Sequence, residues 1–311
     1  MKLTWRRVAV TLLTLVLGIT ITRFLSSHLF MDHASPPAAN SQPPLHSPAT
    51  ANAQTKHEQV ASDLDPFEAA YIDGDKLSYR GYDVERSTDA AERLSFATIR
   101  KKGRTIATLA NGGLGKDSTR FGLFSLLGDE SKQLVILQYT GGAHCCWTYR
   151  IYDFQPHLHV IFDDESYGLD YLGYELHPDD IDGDGKFELT QSVMTFDYFH
   201  MSHATSVFPA AIFAYNEKSR TYAPANRRFS ADVLDDIEND LRALEAADVS
   251  NREVYLSAVL RVFLKRIYAG DEENAWKFFN TKYQLSDRIE IKNDIRKALR
   301  HDPIYRSIYR R

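Results

Sequence analysis

Apolar residues along this chain fall first into short runs and then into helical stripes, with the change near residue 230. Between about residues 64 and 229, runs rich in β-branched and aromatic residues are separated by turn formers. The clearest cover 94–100, 105–109, 134–139, 147–152, 159–162, 187–196 and 208–215, a spacing that predicts an antiparallel meander of short strands. Residues 133–137 are nearly continuous in apolar character, as in a strand covered on both faces. By contrast, Trp147, Tyr149 and Ile151 alternate with Thr148, Arg150 and Tyr152. Beyond residue 230 one stripe comprises Leu234, Ile237, Leu241 and Leu244, and a second Leu256, Val259, Leu260, Phe263 and Ile267. Gly270 is placed to end that second helix and Asp271 to cap the next, which carries Trp276, Phe278 and Phe279. A last helix marked by Ile291, Ile295 and Leu299 must stop before Asp302-Pro303. The expected fold class is therefore α+β: an antiparallel β-meander domain over 64–229, sandwich or partial propeller-like, followed by a helical region over 230–311.

Before the strands the pattern is different again. Lys2, Arg6 and Arg7 precede an apolar run over residues 8–22 that Arg23 interrupts. This reads as a signal peptide or a signal anchor over 1–31, since the run falls short of the roughly 20 apolar residues of a spanning helix unless Arg23 snorkels. Residues 32–63 are rich in Pro, Ala and Ser and predict a disordered tether. Both readings put the body of the chain in the periplasm or outside the cell, either anchored through its N-terminal membrane segment or secreted after cleavage.

Composition narrows the function classes. A formal net charge of −5 provides no general attraction for nucleic acid, so no nucleic-acid partner is expected. The 17 Tyr and 17 Phe among 311 residues lean toward strands, in line with the run pattern.

The strongest candidate chemistry runs from Asp180 to Glu188, with sequence Asp-Ile-Asp-Gly-Asp-Gly-Lys-Phe-Glu. Alternating carboxylates, glycines at 183 and 185 and a further carboxylate at 188 suit the sharply turned, oxygen-rich loop that Ca²⁺ prefers. Close-packed carboxylates also repel one another unless a cation or protons neutralise them. An EF-hand would place an acidic residue at the twelfth position, where Gln191 stands, and helices on both sides, whereas a strand is predicted after the loop. The stretch resembles the calcium loops of integrin-type FG-GAP repeats, in which a DxDGDGxxD/E segment enters a β-strand. That resemblance covers a single copy and implies Ca²⁺ held by Asp180, Asp182, Asp184, the Lys186 carbonyl and Glu188. The alternative is an acidic surface turn that binds nothing.

The only cysteines, Cys145 and Cys146, are adjacent and follow Gly141-Gly142-Ala143-His144. A vicinal disulfide would be strained, because bridged Cα atoms usually lie about 4.4–6.8 Å apart and neighbours about 3.8 Å. Bridge and free thiols both remain open. The GGAHCC run followed by an aromatic strand and a DGDG loop is similar to uncharacterised exported bacterial proteins. A nucleophile here would need a base and an orienting group, for which His200 or His203 with Asp197 are the sequence candidates.

These features predict a cell-envelope protein of non-enzymatic binding or structural type, with a structural Ca²⁺ site and an envelope protein or glycan as partner. The alternative is an exported enzyme using His144, Cys145 and Cys146 as nucleophile or redox centre.

Overall fold

The computed structural model describes residues 74–89, 94–112, 118–128, 130–139, 141, 147–169 and 176–309. The expected N-terminal segment and tether lie outside the described residues, as do His144, Cys145 and Cys146. No helix among the described residues is long and apolar enough to cross a membrane.

Three antiparallel sheets of four strands follow one another, each a meander in which sequence neighbours pair. The first contains β1 (Lys76–Tyr79), β2 (Tyr82–Asp89), β3 (Leu94–Lys101) and β4 (Arg104–Gly112). The second contains β5 (Thr119–Phe124), β6 (Gln133–Tyr139), β7 (Trp147–Asp153) and β8 (His159–Asp163). The third contains β9 (His177–Asp179), β10 (Glu188–Ser192), β11 (Ala210–Asn216) and β12 (Thr221–Pro224). Six helices complete the chain: α1 (Ser230–Val233), α2 (Ile237–Ala246), α3 (Arg252–Tyr268), α4 (Glu272–Lys282), α5 (Arg288–His301) and α6 (Pro303–Tyr309). The expected α+β class, meander first and helices after, is what the chain adopts.

Strand β6 shows why the sheets stack. Its side chains alternate, Leu134 and Ile136 joining a cluster with Tyr82, Val84, Ala97 and Ile99 of the first sheet. Val135 and Leu137 join the other cluster, with Leu189, Ala211 and Phe213 of the third. The nearly unbroken apolar run is thus the signature of a middle layer. Each fully buried Val, Leu or Ile side chain contributes about 1.5–3 kcal/mol. The first sheet is an outer layer. Glu85 on its outward side pairs with Lys76 and Arg100.

The helices close the far side of the third sheet, and their buried residues belong to the same cluster as the second and third sheets. Helix α3 is buried on nearly every side, as expected for a helix that others surround. It ends as the sequence indicates: Gly270 adopts φ +88°, and the N–H groups of Gly270 and Asp271 return to the carbonyls of Ile267 and Arg266. Helix α5 likewise stops before Pro303. Asp302 then caps α6, its Oδ1 accepting the Tyr305 N–H at 2.7 Å. The same buried carboxyl accepts from Tyr268 Oη at 2.6 Å and from Thr195 Oγ1, tying α3 and α6 to the segment that follows β10.

Sequence pattern missed five strands. Strand β2 carries charges on its outward face, and β5 contains Gly122. Strands β9 and β12 contain Pro178 and Pro224 and lie at the two edges of the third sheet, where a missing N–H is tolerated. β1 is only four residues long. The strand expected over 187–196 stops at Ser192, after which the Asp197 N–H closes a turn on the Met194 carbonyl. Just before β1, the Asp75 carboxylate takes the Arg86 guanidinium.

The registers place the connections at two ends of the stack. The β5–β6 turn (125–132), the β7–β8 turn and the β9–β10 loop emerge at one end. The strand ends joined by residues 140–146, Tyr139 and Trp147, lie at the other, with Ser192 of β10. At that second end Asp164 is fully buried, one oxygen accepting the Tyr149 N–H at 2.8 Å. The Gln191 side chain lies beside this carboxyl and helps to oppose its burial, although neither Asp164 Oδ1 nor the Gln191 amide has a well-aligned hydrogen-bond partner among the described residues. Burial pushes the Asp164 carboxyl up to about 7, against the opposing pull of the Tyr149 N–H. A group with a raised folded-state pKa contributes stability that is full below its unfolded value and is lost as pH rises through the folded one. The denaturation midpoint should therefore fall between pH 5 and 8, and Asp164→Asn should flatten that fall. An unchanged slope in the variant would contradict this assignment.

Candidate metal centre

The acidic loop is the connection between β9 and β10. Gly183 and Gly185 sit at φ +73° and +83°, a left-handed backbone that side chains disfavour, and the chain reverses through them. The carboxylates fold the loop inward. Gly185 N–H donates to Asp180 Oδ2 at 3.1 Å, Asp184 N–H to Asp182 Oδ1 at 3.3 Å, and Lys186 N–H to Asp184 Oδ1 at 2.8 Å. Glu188, the first residue of β10, reaches back to accept the Ile181 N–H at 3.1 Å. Backbone turns of this kind are what Asp residues favour in short loops.

Neighbouring elements hold the loop in place. Phe187 N–H donates to the Leu126 carbonyl at 2.9 Å, linking the loop to the β5–β6 turn of the middle sheet. Gly128 in that turn lies so close that a Cβ there would sit 2.4 Å from the Gly185 oxygen. Tyr222 Oη of β12 donates to the Phe187 carbonyl at 3.0 Å, and Lys186 Nζ pairs with Glu217 at 2.9 Å in the β11–β12 turn. That pairing raises the Lys186 ammonium pKa, so the side chain serves as a fixed cation at the loop's edge.

Three of the sequence-predicted ligands converge. Carboxylate oxygens of Asp180, Asp182 and Glu188 all lie within 4.8 Å of one another. Glu188 is only 2% exposed. Burial, with the neighbouring Asp182 and Asp184 charges, holds its carboxyl above the usual range, opposed by the Ile181 N–H and Arg228. Asp180 Oδ1 is buried with no hydrogen-bond partner among the described residues. An oxygen of this kind needs a donor or a cation. Asp184 stands outside the convergent group, its Oδ1 engaged by Lys186 N–H. Arg228, which no sequence motif marks, pairs with Asp182 and neutralises part of the cluster. The donor set is all oxygen, which fits Ca²⁺ and not a thiolate- or imidazole-seeking ion.

The other sequence candidates sit elsewhere. His203 Nδ1 lies 2.8 Å from Asp197 Oδ1, so those two are paired as orienter and base would be. His200 instead pairs with Asp294 of α5. The segment holding Cys145 and Cys146 joins strand ends at the opposite end of β6 from the Leu126–Phe187 contact. The rise along β6 sets that separation at roughly 20 Å. Tyr139 and Trp147, the described strand ends on either side of that segment, therefore lie away from the acidic loop. Comparisons with protein-family models, with curated proteins and with solved structures found no match.

Gly128 provides a direct check on the brace. Gly128→Ala meets both a left-handed backbone, φ +71°, and the Gly185 oxygen, whereas Gly103→Ala, φ +75°, meets the backbone cost alone. Backbone strain of this type costs about 1–3 kcal/mol. In chemical denaturation Gly128→Ala should lose clearly more stability than Gly103→Ala. Equal losses would contradict close contact between the turn and the loop.

Proposed function

We propose that this chain is a cell-envelope protein of non-enzymatic binding or structural type, whose exported β-domain is stabilised by Ca²⁺ in the loop between β9 and β10. The observation that carries the reading is the convergence of Asp180, Asp182 and Glu188 around a buried Asp180 oxygen that has no donor among the described residues. The resemblance to the FG-GAP calcium loops supports it as well, since here too the acidic stretch runs into a strand of an antiparallel meander. The ion would bridge carboxylates on both sides of the β9–β10 hairpin, next to the turn of the middle sheet. Its role is structural: it offsets the mutual repulsion that the loop's geometry imposes. Envelope location rests on the charged and apolar N-terminal pattern and the Pro-rich tether. An envelope protein or a glycan remains the expected partner class.

The runner-up is an exported enzyme built on His144, Cys145 and Cys146. The paired Asp197 and His203 favour it, lying in the segment after Ser192 at the end of the stack that holds Tyr139 and Trp147.

Thermal melting of the full chain with millimolar Ca²⁺ and with chelator separates an ion site from an inert turn. At a hundredfold excess over the dissociation constant, binding to the folded state alone adds about 2.7 kcal/mol. Wild type should melt higher with Ca²⁺, and Asp180→Asn should lose that rise. Arg228→Ala removes a competing cation and should enlarge it. Calcium-independent melting of wild type, with Arg228→Ala simply less stable, would mean that arginine alone closes the loop.

A further inference from the structure

A second cluster of metal-ligating side chains forms where the segment after β10 meets α5. Ligand atoms of His200, Glu290 and Asp294 all lie within 4.8 Å of one another. His200 Nε2 is 2.9 Å from Asp294 Oδ2. Glu290 and Asp294 are four residues apart on α5 and so share one face of the helix. Both elements are fixed by contacts that need no ion. Arg252 Nη1 donates to the His200 carbonyl at 3.2 Å, while its Nε holds Asp287, at the start of α5, at 2.7 Å. A groove of about 620 Å³ opens against His200 and Asp294, and His301 and Lys297 line it as well.

We propose that His200, Glu290 and Asp294 bind a divalent transition-metal ion of the Zn²⁺ class, with remaining coordination positions open to the groove. The ligand chemistry sets this site apart from the acidic loop. An imidazole nitrogen with two carboxylates suits Zn²⁺, Co²⁺ or Ni²⁺, whereas Ca²⁺ takes oxygen donors. Three protein ligands facing open space leave room for water or an exogenous donor as a fourth. Coordination requires Nε2 without a proton, so the proton that bridges it to Asp294 passes to solvent or to Nδ1 as the metal enters. The metal would clamp the segment after β10 to α5, and the groove would present its open side to a donor group from outside. This inference is independent of the calcium reading.

The test is Zn²⁺ titration calorimetry on the full chain, with Co²⁺ substitution read by visible absorption. Wild type should bind one equivalent that His200→Ala and Glu290→Gln each lose. A chain with Cys145→Ser and Cys146→Ser should keep it, as should Asp180→Asn. Far-ultraviolet circular dichroism of the two ligand variants should match wild type, and the exposed position of Glu290 makes Glu290→Gln the safer of them. Zn²⁺ stoichiometry unchanged by both ligand variants would overturn the proposal. So would an equivalent that disappears with the cysteines, or the absence of any Zn²⁺ binding.

Discussion

Leu134 and Ile136 leave β6 on one side, Val135 and Leu137 on the other, and each pair meets a different sheet. A sheet whose two faces are both apolar must be covered twice. That requirement explains why one four-stranded meander precedes the middle sheet and another follows it. The third sheet then has its own outer face to bury, and α3, buried on nearly every side, fits against it with the remaining helices around it. Asp302 joins the parts chemically as well, gathering Tyr268, Thr195 and the first turn of α6 on one buried carboxyl. Leaving such an acceptor without its donors would cost about 1–3 kcal/mol.

Against that stack the acidic loop is an electrostatic problem placed in a rigid frame. Its backbone is pinned from the middle sheet by Leu126 and from β12 by Tyr222, and its Lys186 side chain is held by Glu217 of the β11–β12 turn. Pinned in this way, Asp180, Asp182 and Glu188 cannot spread apart to relieve their repulsion. Arg228 neutralises part of it, while Asp180 Oδ1 is buried without a donor among the described residues. A loop held with its carboxylates together before the ion arrives has already met the ordering cost of binding.

Much of this was legible in the sequence where a single strand or helix carried its own signal. The double burial of residues 133–137, the end of α3 at Gly270 and the stop before Pro303 all follow from local pattern. The acidic loop announced itself through spacing alone. What stayed hidden was whatever depends on distant residues meeting. Strands β9 and β12 hold prolines that only an edge position excuses, and edge position is a property of the assembled sheet. Gly128 and Arg228 bear on the loop from about 50 residues before it and 40 after it, with no motif to mark them. His200 and Asp294 are 94 residues apart in sequence, and the fourfold spacing of Glu290 and Asp294 looks like any solvated helix face. The repeat of three meanders was also invisible, because each sheet meets different neighbours and so carries different residues.

Whether the loop takes up Ca²⁺ separates a metal site from an inert acidic turn, and calorimetric titration measures that directly. The full chain should bind one Ca²⁺ through the loop with a dissociation constant of about 10⁻⁴ to 10⁻³ M, the range of extracellular calcium modules. Mg²⁺ should bind more weakly, and Glu188→Gln should abolish the Ca²⁺ heat. Absence of any Ca²⁺ heat, or a heat that Glu188→Gln leaves intact, would show that the converging carboxylates hold no calcium.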